Sequence, residues 1–150
     1  MSRALKMLTK ARELVANDWC AGIRPQNAKG ETVHNYSPEA VRFPAWAALD
    51  AAFCNPVHRI DERNEKVVDP TGKAHDLAKT NLIWAAKHLH GAKAIVENIS
   101  DKGQAQALEM LDAAIERRKE IEEANMRNAT PRTAEGMREI REMRTQTGRN

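Results

Sequence analysis

Ser37-Pro38-Glu39-Ala40-Val41-Arg42-Phe43-Pro44-Ala45-Trp46-Ala47-Ala48-Leu49-Asp50-Ala51-Ala52 is the stretch that decides how this chain folds. A serine oxygen caps an orphan helical N–H, proline tolerates the first helical position, and a carboxylate favours the positive end of the helix dipole. These residues predict a helix start at Ser37, followed by an apolar stripe of Val41, Ala45, Ala48, Leu49, Ala52 and Phe53. Pro44 lies inside that stripe and removes a backbone hydrogen bond to the preceding turn. Two outcomes are open: the helix kinks at Pro44, or a short first turn ends and the main helix restarts there. Trp46 falls off the stripe, which marks it as a residue for a groove or an interface.

Upstream, Ala4, Leu5, Leu8, Ala11, Leu14 and Val15 recur at helical spacing, with Ser2 placed to cap and Asn17-Asp18 to stop. The helical period then disappears from Trp19 to Tyr36. Asn27-Ala28-Lys29-Gly30 suits a turn whose last residue takes positive φ, so a small β-hairpin is expected there. Downstream, Asn55 to Lys73 reads as a loop, with turn chemistry at Asn55-Pro56 and Asp69-Pro70-Thr71-Gly72 and a brief pairing segment at Val67-Val68. A further helix is expected from about Asp76 to His90, with Leu77, Ala78, Leu82, Ala85, Ala86 and Leu89 inward and Gly91 just past its end. Ile95, Val96 and Ile99 form a short buried connector. Asp101 and Gln104 have the spacing of a capping box for a helix carrying Ala107, Leu108, Leu111, Ala114 and Ile115. Past Ile115 the stripe thins to Ile121 and Met126, Thr130-Pro131 stops the helix, and Thr133 caps a last short helix with Met137, Ile140 and Met143 on one side.

The fold class expected is mainly α: a compact four-helix domain over residues 1–116 with a small β-hairpin, plus an extended charged helical tail over 117–150. The 150 residues carry a net charge of +3, all of it in the tail, where nine basic residues face six glutamates. Positions 1–116 hold fifteen basic and fifteen acidic residues. A tail with interleaved glutamates is a mild bias, short of the dense stripe of a strong nucleic-acid binder. No apolar run approaches the roughly 18 residues of a membrane span, and the N-terminus lacks the apolar core of a secretion signal. Two cysteines make no disulfide framework, so a cytoplasmic setting is expected, or a virion if the protein is structural.

Chemistry-bearing residues are sparse. Cys20, His34, Cys54 and His58 are the set that most resembles metal ligands, but zinc sites usually offer ligands in close pairs, and these do not. His88 and His90, two residues apart at a helix end, point to different faces and suit the negative end of the dipole. Cys20 beside a histidine lacks oxyanion donors and an orienting third group. A scattered polar site from His34, Tyr36, Arg42 and Asp50 around the hairpin is the remaining enzyme reading. No cofactor, metal or catalytic set is therefore expected. Trp19 and Trp84 read as core. The binding residues expected are Trp46 on the body and Met137, Ile140, Met143, Arg138 and Arg141 on the tail.

Trp19-x-x-Gly22, the turn at Gly30, Ser37 to Phe43 and the Ala45–Ala52 segment together resemble an uncharacterised family of small bacterial and bacteriophage proteins, classed as a domain of unknown function. Asn98-Ile99-Ser100-Asp101 and the helix ending in Leu108–Ile115 also look like that family, so the resemblance covers residues 4 to 116. Where the family typically has a Cys-Ala-x-Gly-Ala run, this chain has Pro44-Ala45-Trp46-Ala47-Ala48. The resemblance implies a compact, mainly helical domain with a small hairpin and implies no activity. The function expected is a non-catalytic protein-binding or regulatory accessory protein of phage or prophage origin. The alternatives are a virion or assembly component making subunit contacts through the tail, and a weak nucleic-acid binder using the tail arginines.

Overall fold

The computed structural model describes residues 1–60 and 72–129. Among these the fold is mainly α, with five helices and no strand: α1 (Arg3–Asn17), α2 (Ala45–Cys54), α3 (Lys73–His90), α4 (Val96–Ser100) and α5 (Gln104–Ala129). The chain divides into two units, Met1–Arg118 and Lys119–Asn150, and α5 contributes to both. Val67-Val68, the Asp69-Pro70-Thr71 turn and the Thr133-capped tail helix lie outside the described residues.

Helix α1 follows its sequence pattern. The Ser2 side chain accepts from the Leu5 N–H at 3.1 Å, and the helix ends with the Asp18 N–H on the Leu14 carbonyl. Leu5, Leu8, Ala11, Leu14 and Val15 are buried on one face, joined by Ala4 and Met7. This face packs on α2 and α3.

Ser37-Pro38-Glu39 does not start a helix. It closes a single turn, with the Ala40 N–H on the Ser37 carbonyl and the Glu39 N–H on the Ser37 hydroxyl. The main helix starts beyond Pro44, which sits at the N-cap position in extended conformation (φ −72°, ψ 161°), close to that of the α1 cap Ser2 (φ −66°, ψ 162°). Of the two outcomes open at Pro44, the restart is the one adopted. Proline has no side-chain oxygen to cap with, so the cap comes from elsewhere: the Ser100 hydroxyl accepts from the Ala45 N–H at 3.0 Å, both buried. A long-range cap thus replaces the local one. Val41, expected in the stripe, lies on the extended lead-in and is 44% exposed.

The α2 helix is the centre of the unit and contacts α1, α3 and α4. Ala45, Ala47, Ala48, Leu49, Ala51 and Ala52 are all fully buried, so methyl groups cover most of its circumference and neighbouring helices approach closely. Phe43, Leu8, Leu49, Leu82, Met110 and Leu111 are the large side chains that fill the space between them. Full burial of each such side chain is worth about 1.5–3 kcal/mol over leaving it in water.

The hairpin is not formed. Gln26 makes isolated antiparallel bridges to Thr32 and Arg42, and neither extends into a ladder. Pro25 has no N–H to donate, and the Asn27 side chain takes the Lys29 and Glu31 N–H groups at 3.0 and 2.9 Å. The turn itself is as expected, with Gly30 at φ +79°.

Helix α3 begins three residues before its expected start, after Gly72 in the left-handed region at φ +68°. Ala78, Leu82, Ala85 and Ala86 are buried as expected, together with Ala74, His75 and Asn81. Leu77 and Leu89, expected inward, are 40% and 37% exposed because the buried face rotates towards His75 and Asn81. The Ile95–Ile99 connector is the short helix α4, with Val96, Ile99 and Ser100 buried and Ile95 exposed. Asp101 and Gln104 do not form a capping box. The Asp101 carboxylate accepts from the Gly22 N–H at 2.7 Å, and the Gln104 side chain donates to the Val15 and Ala16 carbonyls at the end of α1. Ala107, Met110, Leu111, Ala114 and Ile115 complete the core.

Candidate functional site

One stripe of α2 is only partly buried: its Trp46 and Phe53 pack against the core and keep part of their surface exposed. Trp46, Asp50, Phe53 and Cys54 stand at i, i+4, i+7 and i+8, the spacing of a single helical stripe. They line an open pocket of about 500 Å³ together with Ile23, Arg24, His34, Asn35 and Tyr36 from the segment before α2, His75 from α3 and Glu97 from α4.

The polar centre of the pocket is Asp50. One carboxylate oxygen faces His75 Nε2 at 2.9 Å, and the other accepts from Asn35 Nδ2 at 2.8 Å. This fixes the His75 tautomer with its proton on Nε2, since an aspartate oxygen accepts. The His75 ring also stacks on Phe53, with centroids 4.3 Å apart and planes within 5°. His34 and Tyr36 form a second stacked pair at 5.1 Å, and Arg24 donates to His34 Nδ1 at 2.8 Å. Lys79 places its ammonium 5.9 Å from the Trp46 ring centroid.

Asn35 is held in place from behind. Asn55, fully buried at the end of α2, donates to the Asn35 and Ser37 carbonyls at 2.9 and 2.8 Å and accepts from the Val57 N–H at 2.9 Å. The turn expected at Asn55-Pro56 is therefore also the knot that ties the pocket's loop wall to α2.

Neither thiol suits nucleophilic attack at neutral pH. Burial, and then the negative charge of Asp50, push the Cys54 thiol above its ordinary range. Burial and the charge of Asp18 push Cys20 up to about 11, and its sulfur lies 3.8 Å from the Arg24 carbonyl. Among the described residues no group of three or more His, Cys, Asp or Glu converges on a possible metal position. Of the four residues weighed as ligands, His34 and Cys54 line the pocket, Cys20 is buried, and His58 stands edge-on to Phe43.

Trp46, singled out as off the core stripe, is on the pocket wall and half-buried. His34, Tyr36 and Asp50, grouped in the scattered polar site, do line one pocket; Arg42 does not, and its Nε instead donates to Asp18 at 3.2 Å. His75, Phe53 and Glu97 also line the pocket and are not among the site residues the sequence marks. For Phe53 the i, i+7 relation to Trp46 was the available signal, whereas His75 and Glu97 arrive by tertiary packing. Trp84, expected in the core, packs against it half-buried, with the His88 ring stacked at 4.5 Å and the Arg117 guanidinium 4.8 Å from its ring centroid. Met137, Ile140, Met143, Arg138 and Arg141 lie outside the described residues. No described helix is long and apolar enough to cross a membrane. No protein-family model, curated protein or solved structure matches the chain.

Proposed function

We propose that this chain is a non-catalytic, protein-binding accessory protein whose partner docks at the pocket beside Trp46. The observation that carries this reading is the Trp46/Asp50/Phe53/Cys54 stripe, which faces an open pocket while the rest of α2 is buried. A pocket of about 500 Å³ is large enough for side chains of a partner, within the roughly 300–1,000 Å³ of ligand sites generally. Half-buried tryptophan and exposed tyrosine are the residue types that anchor interfaces. Against catalysis stand the two protonated thiols and a histidine whose Nε2 is engaged by Asp50 and whose ring face is covered by Phe53. The motifs quoted for residues 4 to 116 support a phage or prophage origin within the same proposal.

Replacing Tyr36 with a photoreactive phenylalanine analogue in producing cells tests the reading. The expected result is one protein adduct on irradiation, lost when Trp46→Ala is added and absent when the analogue stands at Leu89. No adduct from position 36, or equal adducts from both positions, would overturn it.

A further inference from the structure

The pocket has a chemical character that narrows what it binds. Its aromatic faces come as two stacked pairs, His34/Tyr36 and Phe53/His75, with Trp46 beside them. Its charged wall carries two carboxylates, Asp50 and Glu97, against the single guanidinium of Arg24, which is turned to His34 Nδ1. We propose that the pocket takes a lysine or arginine side chain of the partner, with the cationic head between the Trp46 ring and the carboxylates of Asp50 and Glu97. This rests on the pocket being the partner's site.

Three observations support the assignment. First, the Trp46 ring already has a cation at its face, the Lys79 ammonium at 5.9 Å. That distance is at the edge of the useful range for attraction to the ring quadrupole, so an incoming cation that approaches more closely competes well. Second, Asp50 receives one donor on each oxygen. An ionised carboxylate has about four acceptor positions, so the two oxygens retain capacity for an ammonium or guanidinium. Third, the Asp50 carboxylate and Cys54 share the pocket wall, and the Asp50 charge adds to burial in raising that thiol, as a negative wall should. The apolar surface of Ile23 and Phe53 suits the alkyl stem that a lysine or arginine brings with its charge.

The test follows the Trp46 indole N–H signal by nuclear magnetic resonance in the isotope-labelled full chain. The probes are Nα-acetyl-lysine methylamide, Nα-acetyl-arginine methylamide, the neutral isostere Nα-acetyl-norleucine methylamide, and free n-butylammonium. Both basic peptides should give saturable shifts that weaken with added salt, and norleucine should bind about tenfold more weakly or worse. Glu97→Gln should weaken the lysine probe about threefold. Lys79→Met should tighten it by a similar factor, a gain that a merely structural Lys79 would not produce.

Equal binding of lysine and norleucine, or no saturation with either basic peptide, would overturn the inference. Binding of n-butylammonium without the lysine peptide would overturn it too, because the site would then be closed to a chain-borne side chain. Each of these results with the Tyr36 adduct intact removes the cation chemistry and leaves the partner site standing; loss of the adduct removes the partner site itself.

Discussion

Asn55→Ala should destabilise the protein by about 3 kcal/mol. The wild-type side chain is fully buried and makes three hydrogen bonds, two donated by Nδ2 to the Asn35 and Ser37 carbonyls and one accepted by Oδ1 from the Val57 N–H. Each neutral hydrogen bond is worth about 0.5–1.5 kcal/mol net, and each buried group left without a partner costs about 1–3 kcal/mol. Water reaching the loop carbonyls offsets part of the larger figure, which leaves about 1 kcal/mol per bond. Urea unfolding followed by helical circular dichroism measures the loss. With a slope of about 1–3 kcal/mol per molar urea, the midpoint should fall by about 1–3 M at unchanged slope. Asn55→Asp should do no better, since it replaces the donor of two bonds with an acceptor facing two carbonyls. Asn35 also donates to Asp50, so both variants should shift the resonances of the pocket as well. A stability within about 0.5 kcal/mol of wild type for Asn55→Ala would refute the reasoning, because that is the range of ordinary surface substitutions.

Ser100→Ala removes the buried cap on the Ala45 N–H and should cost about 1–2 kcal/mol in the same unfolding assay, with amide exchange accelerated first at Ala45. Cys20 gives a pH signature: its thiol is raised from 9.0 unfolded to about 11 folded, so above pH 9 the unfolded chain loses the proton first. Stability should therefore be constant below pH 9 from this group and fall between pH 9 and about 11 by on the order of 2 kcal/mol, a slope that Cys20→Ala removes in a pH series of denaturation midpoints. At Cys54, Asp50→Asn removes one of the two causes that hold the thiol protonated, and iodoacetamide should alkylate Cys54 faster at pH 8 than in wild type. An unchanged rate would mean that burial alone sets the reactivity of this thiol, and a slower one would contradict the assigned effect of the Asp50 charge.

The parts of the fold that local rules govern were legible in the sequence. Helix α1, from the Ser2 cap to the Asp18 stop, is readable because the cap and stop lie next to the residues they serve. Ser37-Pro38-Glu39 carries as good a local start signal, yet it makes one turn only. Pro44 seven residues on supplies an extended N-cap, and buried Ser100 supplies the oxygen that Pro44 lacks. Gln104 misleads in the same way, since its amide serves the end of α1 instead of its own helix. The hairpin failed for a local reason that was visible, the missing N–H of Pro25 together with the Asn27 side chain bonding its own turn. As for the candidate site, Trp46 stands out by its departure from the stripe, and it lines the pocket. His75 does not stand out, because its partnership with Asp50 spans 25 residues and depends on how α3 docks.

The most direct test of the central claim is the affinity of the cross-linked partner for three forms of the chain, measured by titration calorimetry. These are the full chain, its Trp46→Ala variant and residues 1–129. A partner seated beside Trp46 predicts that residues 1–129 bind as tightly as the full chain, while Trp46→Ala weakens binding about thirtyfold or more, the loss typical of an interface anchor. Unchanged affinity of Trp46→Ala, with binding abolished by removing residues 130–150, would contradict the account and move the partner site to Met137, Ile140 and Met143.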